Sequence, residues 1–236
     1  MERKSPLRVE ANGGDAGMAT MYLYDEIGPA YYGLIDAASV IAALAQFNGL
    51  PINLRINSPG GDVFEAFAMY NALQRHNAPI TVDIDALCAS AATLPALAGD
   101  KVRIAENAMF MIHNAWSIAV GNASELRKTA DTLDQVDGNI AATYAAKTKL
   151  PLETLNPMMA AETWLTAADA VAKGFCDEVG QALNVSANVG HRRFRNAPTE
   201  LLTQLKREEK PTPAALTRVV ELVATRNRTQ RQRAGA

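Results

Sequence analysis

The sequence predicts a layered α/β domain in which helices cover a β-sheet. Two observations support this prediction. Short apolar segments of strand length alternate with segments of helical periodicity along most of the chain, as expected for strands and helices that pack in layers. In addition, one long Pro-free, Ala-rich segment of helical periodicity covers residues 123–149. A chain of 236 residues is long enough for one such domain with appendages.

The predicted elements follow from local patterns in chain order. Strands are predicted where short apolar runs occur, over 21–24, 52–56, 80–84, 101–104 and 109–112. Helices are predicted over 37–47 after the cap residue Asp36, 63–75, 91–98, 123–149, in a short piece after Pro151, and over 167–173. An Asp before a helix satisfies its free N–H groups, and Gly174 is a typical residue just after a helix end.

The two ends of the chain differ from its middle. Residues 1–19 are polar and are predicted to form a flexible arm before a compact domain over 20–186. Residues 187–236 form a predicted basic tail with two amphipathic helices, 199–207 and 213–226.

Composition narrows the function classes. Apolar residues make up 48% and charged residues 20%, with a net charge of -2, which is ordinary for a globular protein. Residues 191–236 carry a local net charge of +7, but basic runs are usually solvated and Phe194 is their only aromatic residue, so nucleic-acid binding is not expected. The uncharged stretch 86–99 is too short to cross a bilayer, and residues 1–20 lack an apolar signal segment. We therefore expect a cytoplasmic protein without a membrane partner.

Cysteine usage points to a reducing compartment. Only Cys88 and Cys176 occur, and no C-x-x-C or Cys/His cluster accompanies them, so neither a disulfide framework nor a zinc site is indicated. Cys88 lies two residues before Ser90, but a free Cys is commonly a small core residue, and a thiol mechanism is not favoured.

A glycine-rich turn, Asn-Ser-Pro-Gly-Gly-Asp over 57–62, lies between a predicted strand and a predicted helix. Two glycines let the backbone approach a ligand closely, and the helix N-terminus offers free N–H groups to an anion or oxyanion. Alone, such a turn is more often structural, with Gly supplying a positive φ.

Ser90 and His113 are the candidate nucleophile and base. Ser90 lies among small residues at a predicted helix start, where a carbonyl could approach, although a Ser there is more often an N-cap. His113 follows the strand 109–112 at the rim of the predicted sheet, where a single His is more often a packed residue. His76 and His191 have the surroundings of surface residues.

Taken together, these motifs resemble the Clp proteolytic subunit family. The matching motifs are Ile-Asn-Ser-Pro-Gly-Gly at 56–61, Ala-Ser at 89–90, Met-Ile-His at 111–113, Trp-Leu-Thr-Ala at 164–167 and Gly-Phe-Cys-Asp at 174–177. Their order and spacing match over about residues 21 to 182. The resemblance implies a ClpP/crotonase-like fold, a serine endopeptidase, and a handle helix over 123–149 through which two rings of identical subunits meet.

Four further motifs are similar to phage-encoded relatives that mature proheads. They are Tyr-Asp-Glu-Ile-Gly at 24–28, Gly-Gly-Asp at 60–62, His-Asn-Ala-Trp at 113–116 and Glu-Thr-Trp at 162–164. This similarity implies capsid or scaffold proteins as substrates, in the host cytoplasm or the prohead. Residues 187–236 would dock to capsid or scaffold and be removed by self-cleavage. Whether an unfoldase ATPase is a partner stays open.

The family's roles map onto individual residues of this chain. The nucleophile falls on Ser90 and the general base on His113. The oxyanion N–H groups fall on Gly61 and Ala91, and Gly60 and Asn114 are expected to contact substrate. Such a mechanism requires no metal and no organic cofactor.

The third catalytic residue departs from the family pattern, because the usual Asp aligns with Glu162. A Glu can orient an imidazole in the same way with a longer reach, so Glu162 is favoured. Asp177 and Glu106 are the alternatives.

Three other functions remain open at this point. A ring-forming assembly protein without activity would keep the fold, and the change at Glu162 permits it. An acyl-CoA enzyme of the crotonase fold would use the glycine turn without a Ser/His pair. A Ser-Lys peptidase resembling signal peptide peptidases would need Lys101 or Lys128 as base, which the family context of His113 disfavours.

Overall fold

The computed structural model describes residues 7–11, 17–182 and 194–198. The chain divides into a unit of residues 1–198 and a second unit of residues 199–236. The segments 199–207 and 213–226, predicted as helices of the tail, lie outside the described residues. Residues 194–198 belong to the first unit, and the predicted end of the compact domain at 186 stays a prediction.

A β-sheet of eight strands forms the centre of the described part. The strands are β1 (Arg8–Ala11), β2 (Ala19–Leu23), β3 (Ile52–Ser58), β4 (Ile80–Ala89), β5 (Lys101–Ala105), β6 (Met109–Ile112), β7 (Thr163–Thr166) and β8 (Glu178–Gly180). Their order is β1-β2-β3-β4-β5-β8, and β6 pairs with both β4 and β7. Only the β1–β2 and β6–β7 pairs are antiparallel, so helices connect most neighbouring strands.

Six α-helices accompany this sheet in the described ranges. They are α1 (Ala37–Gln46), α2 (Val63–Gln74), α3 (Thr93–Leu97), α4 (Ala123–Thr148), α5 (Leu152–Ala160) and α6 (Ala167–Ala172). Side chains of Asp36, Asp62 and Asn122 accept backbone N–H groups at the starts of α1, α2 and α4, as N-caps do. The predicted α/β layering and the cap at Asp36 are therefore confirmed.

The strands at the margins of the sheet differ from the predictions. Residues 8–11 form β1 where a flexible arm is predicted, and β7 and β8 are not predicted at all. These strands have three or four residues each, which is too short for an alternating pattern to stand out. Their pairing with neighbours distant in sequence, such as β8 with β5, decides their conformation.

The long helix α4 packs on the domain only through its C-terminal half. Val136, Ile140 and Ala141 are buried, but Leu126 is 44% exposed and Ala130 is exposed as well. The described part of the chain therefore leaves the apolar residues in the first half of α4 uncovered. No helix of the described part is long and apolar enough to span a membrane.

Asp85 on β4 is a buried carboxylate that bonds to Arg55 on β3 and to Tyr24, the residue just after β2. Its side chain is 1% exposed and accepts hydrogen bonds from Arg55 Nε at 2.8 Å and Nη2 at 2.6 Å. The hydroxyl of Tyr24 also donates to it. Burial, together with this hydrogen bond, raises the pKa of Tyr24 to about 12.

Replacing Asp85 by Ala is expected to lower the free energy of unfolding by about 3 kcal/mol, because Arg55 would lose its partner in a partly buried place. Denaturant unfolding measures the change. Glu10→Ala is the control, since its ion pair with Arg8 is exposed and should contribute less than about 1 kcal/mol. Equal losses in the two variants would contradict the importance of the Asp85 cluster.

Candidate active site

Ser90 lies in a strained turn at the end of the central strand β4. The strand ends at Ala89, and a short 3-10 turn, Ser90–Ala92, leads into α3. Ser90 has a φ of 56°, a left-handed conformation that is unfavourable for a residue other than Gly. Strain of this kind is typical of functional turns. The predicted helix over 91–98 is thus a 3-10 turn followed by α3.

His113 reaches Ser90 because β6 pairs with the last residues of β4. Met111 is the register partner of Ala89, so the residues that follow the two strands lie side by side. His113 Nε2 is 2.7 Å from Ser90 Oγ, a hydrogen-bond distance. Burial lowers the pKa of His113, although the charge of Glu162 counteracts this and the charge of Arg195 adds to it. The imidazole is therefore neutral at pH 7, as a base must be.

Glu162 lies beside His113 but is not hydrogen-bonded to it. Thr163 pairs with Ile112, which brings the preceding Glu162 to the same end of β6. Glu162 Oε2 is 4.0 Å from His113 Nδ1, beyond hydrogen-bond distance. The structure thus brings Ser90, His113 and Glu162 together, as the sequence predicts. The hydrogen bond between His113 and Glu162 is not formed.

The carboxylate of Glu162 is satisfied by other donors. It is 7% exposed and accepts the backbone N–H of Arg195 at 2.8 Å and of Asn196 at 2.6 Å. The indole Nε1 of Trp164 also donates to it at 3.3 Å. The sequence did not predict that residues 194–198 reach this site.

The alternative acids and bases have other surroundings. Asp177 accepts the backbone N–H of Val102 and pairs with Lys147, and Glu106 is exposed. Lys101 pairs with Glu178 on the surface, and Lys128 is exposed on α4. None of Asp177, Glu106, Lys101 and Lys128 lines the cleft that contains Ser90 and His113.

The glycine turn packs directly against the turn of Ser90. Gly60 and Gly61 have φ values of 88° and 146°. A Cβ on Gly60 would lie 2.8 Å from Ala91 N, and a Cβ on Gly61 would lie 1.9 Å from the carbonyl oxygen of Ile27. The two positions therefore require glycine. Gly61 and Ala91, the predicted oxyanion donors, line the same cleft as Ser90.

Two predicted substrate contacts lie away from the cleft surface. Gly60 is buried and Asn114 is exposed, and neither lines the cleft. The backbone N–H of Asn114 donates to Met159 O at 3.2 Å. Their predicted contact with substrate stays a prediction.

A cleft of about 690 Å³ opens at Ser90. Gly61, Ala91 and His113 line it beside Ser90. Its apolar and aromatic lining includes Pro29, Tyr32, Leu34, Phe64, Trp116 and Phe194. A mostly apolar cleft with a few polar groups is typical of a ligand-binding site. Within the described ranges no group of three or more His, Cys, Asp or Glu is placed to hold a metal ion.

Both cysteines are buried and poorly suited to nucleophilic chemistry. Burial raises the pKa of Cys88 well above its usual value, and it raises the pKa of Cys176 to about 12. A thiol with a raised pKa is unreactive at neutral pH. This supports Ser90 over Cys88 as the reactive group.

Comparison with known proteins assigns a family. The model of the Clp protease family matches residues 18–182. The chain is 30% identical over 126 residues to the ATP-dependent Clp protease proteolytic subunit of Pleurastrum terricola, covering 52% of this chain and 64% of that protein. It is 30% identical over 158 residues to the subunit of the same name from Leuconostoc citreum, covering 61% and 76%.

A solved structure shows the same fold. A ClpP mutant protein from Listeria monocytogenes superimposes with a TM-score of 0.61 at 22% identity, covering 69% of this chain and 91% of that one. The predicted ClpP-like fold is thereby confirmed. The family model covers more than half of the sequence, in the part that contains Ser90, His113 and Glu162. The chain therefore belongs to the Clp protease family.

Proposed function

We propose that this chain is a serine endopeptidase in which Ser90 is the nucleophile and His113 the general base. The observation that carries the proposal is the 2.7 Å contact between Ser90 Oγ and His113 Nε2. It occurs at a strained turn, in a cleft, with a neutral imidazole. These are the requirements for an activated hydroxyl nucleophile.

The proposed reaction has two halves. His113 takes the proton of Ser90 as Oγ attacks the peptide carbonyl, and the N–H groups of Gly61 and Ala91 stabilise the tetrahedral oxyanion. His113 then gives the proton to the leaving amine, which departs and leaves an acyl-serine. In the second half, His113 takes a proton from water, which attacks the ester, and returns it to Ser90 Oγ as the carboxylic acid product is released.

Glu162 is the proposed third member of the catalytic group. Its carboxylate would accept a hydrogen bond from His113 Nδ1 once the 4.0 Å gap closes. It would then hold the imidazole in the required tautomer and stabilise the imidazolium. Among Glu162, Asp177 and Glu106, only Glu162 has its carboxylate beside His113.

Reactivity of Ser90 is expected to rise with pH through an apparent pKa below the ordinary His value of 6.5, because burial lowers the pKa of His113. A protonated imidazole cannot accept the hydroxyl proton, so the rate falls only when the pH drops below this lowered pKa. The pH dependence of probe labelling at Ser90 measures it. In Glu162→Gln the midpoint should fall further, since the carboxylate raises the pKa of His113. A midpoint above 6.5 in the wild type would contradict this assignment.

Assembly into rings of identical subunits is proposed on the basis of family membership and of α4. The first half of α4 and the segment before it expose apolar side chains: Trp116, Ile118, Val120 and Leu126. These side chains would be covered if the helix served as a handle between two rings. Sedimentation velocity of the full chain tests for such an oligomer.

The finer proposal is a role in prohead maturation, with capsid or scaffold proteins as substrates in the cytoplasm of the host. It is supported by the four sequence motifs shared with phage-encoded relatives. The experiment combines the protein with the capsid and scaffold proteins encoded in the same genome and follows cleavage by mass spectrometry, with Ser90→Ala as control. Cleavage of a generic unfolded protein without cleavage of either structural protein would reject the prohead role and keep the peptidase.

The two alternatives from other functional classes, an acyl-CoA enzyme and an inactive assembly protein, predict different results. An acyl-CoA enzyme would need the glycine turn but not the Ser90–His113 contact, and an inactive assembly protein would need neither. The 2.7 Å contact and the strain at Ser90 argue against both. Peptide hydrolysis that is lost in Ser90→Ala would exclude them.

A further inference from the structure

Residues 194–198, here called the strap, occupy one side of the candidate site. Phe194 is 9% exposed, and its ring lies 6.2 Å from that of His113 and 5.2 Å from that of Trp164 between centroids. Asn196 Nδ2 donates to the carbonyl oxygen of Ala161 at 3.0 Å. The strap is thus anchored by side chains on both sides of Glu162.

The strap competes with His113 for Glu162. Its two backbone N–H groups lie at 2.8 and 2.6 Å from the carboxylate oxygens, whereas His113 Nδ1 is at 4.0 Å. Oε2, the oxygen nearer to His113, is the one that accepts the N–H of Arg195. Hydrogen bonds to a charged group are strong, so they hold the carboxylate in its present place.

The strap also destabilises the positive charge that His113 acquires during the reaction. The imidazole becomes an imidazolium during the reaction, and a carboxylate with three donors of its own stabilises that cation less. The positive charge of Arg195 acts in the same direction, since it opposes protonation of His113. Phe194 lines the cleft beside Ser90, in space that a substrate chain would use.

We propose that the strap is an autoinhibitory contact that holds Glu162 away from His113, and that its release activates the Ser90–His113 pair. The inference rests on the proposed peptidase function. The strap continues covalently into residues 199–236, so a partner bound to that segment, or a cut next to the strap, would act directly on it. Arg195 and Asn196 are positioning residues in this scheme, because they act through Glu162.

The test compares rates of Ser90 labelling by a fluorophosphonate probe in the full-length chain. Asn196→Pro removes one of the two strap N–H groups that Glu162 accepts. The matched Asn196→Ala keeps this N–H and loses only the side-chain bond to Ala161. Phe194→Ala removes the ring packing. We expect labelling to be roughly tenfold faster in Asn196→Pro and Phe194→Ala, the size of effect that a hydrogen bond to a charged group has. Asn196→Ala should gain less.

The gain must depend on Glu162. In the double variant with Glu162→Gln, Asn196→Pro should no longer accelerate labelling, because a loosened strap would then have no carboxylate to release. Phe194→Ala also opens the cleft that contains Ser90, so it does not take part in this comparison. A merely structural strap would lower the thermal unfolding midpoint and slow the labelling. Each variant is therefore assayed below its own unfolding transition, so that every one yields a rate.

The outcomes separate the strap from the proposed function. Unchanged or slower labelling in both strap variants, with wild-type Ser90 still labelled, would overturn the autoinhibitory contact alone. Acceleration by Asn196→Pro that persists with Glu162→Gln would also overturn it. Absence of labelling at Ser90 in the wild type and in every strap variant would reject the peptidase itself.

Discussion

Replacing His113 by Ala is expected to lower kcat/KM for peptide hydrolysis by roughly 10⁴- to 10⁶-fold, the range found when a triad base is removed. The physical reason is the 2.7 Å contact with Ser90 Oγ. Without an acceptor for its proton, the hydroxyl is a weak nucleophile at neutral pH. Steady-state hydrolysis of a fluorogenic peptide measures the loss.

His76→Ala is the matched control for this change. His76 is a partly exposed surface residue whose Nε2 lies 2.8 Å from Leu50 O. It does not line the cleft. Its removal should leave kcat/KM within about twofold, as surface substitutions have small effects. A loss below tenfold in His113→Ala would mean that another group is the base.

Replacing Gly61 by Ala should have the second largest effect, on activity and on stability together. The added Cβ would lie 1.9 Å from the carbonyl oxygen of Ile27, and the φ of 146° is strained for any L side chain. The turn must shift, and the N–H of Gly61, the proposed oxyanion donor, would shift with it. Loss of one such donor costs about 10²- to 10³-fold in kcat. We expect at least this loss in peptide hydrolysis.

Gly138→Ala provides the matched control for Gly61→Ala. Gly138 lies inside α4, and a Cβ there meets nothing within 4 Å. Ala is the better helix former by about 1 kcal/mol, so this variant should be slightly more stable and equally active. Thermal unfolding and peptide hydrolysis are measured on both variants. Similar behaviour of the two would show that the turn at Gly61 is not tightly constrained.

The central part of the fold could be predicted because its patterns are local. The strand 109–112 matches β6, and the strands predicted at 52–56 and 80–84 lie within β3 and β4. In β3 and β4 buried apolar residues alternate with less buried polar ones, and this period of two indicates a strand from the sequence alone. The predicted strands end at residues 56 and 84, before the observed ends of β3 at Ser58 and of β4 at Ala89. A register shift between β3 and β4 changes the strand pairing near these ends.

The candidate site was predictable in part. Ser90 directly precedes a predicted helix, and His113 directly follows a predicted strand. Because β4 and β6 are parallel, the two residues lie at one edge of the sheet. The contacts of Glu162 could not be predicted, because its partners Arg195 and Asn196 are 33 and 34 residues away in a segment whose composition indicates a solvated tail. Phe194, the only aromatic residue of that segment, was the single available signal.

The measurement that tests the central claim most directly is the labelling of the purified full-length protein by a fluorophosphonate probe, with the adduct located by peptide mass spectrometry. The account predicts an adduct on Ser90 that is absent in Ser90→Ala and nearly absent in His113→Ala. An adduct on another residue, or none in wild-type protein or in the strap variants while all are folded, would contradict the claim that Ser90 is an activated nucleophile.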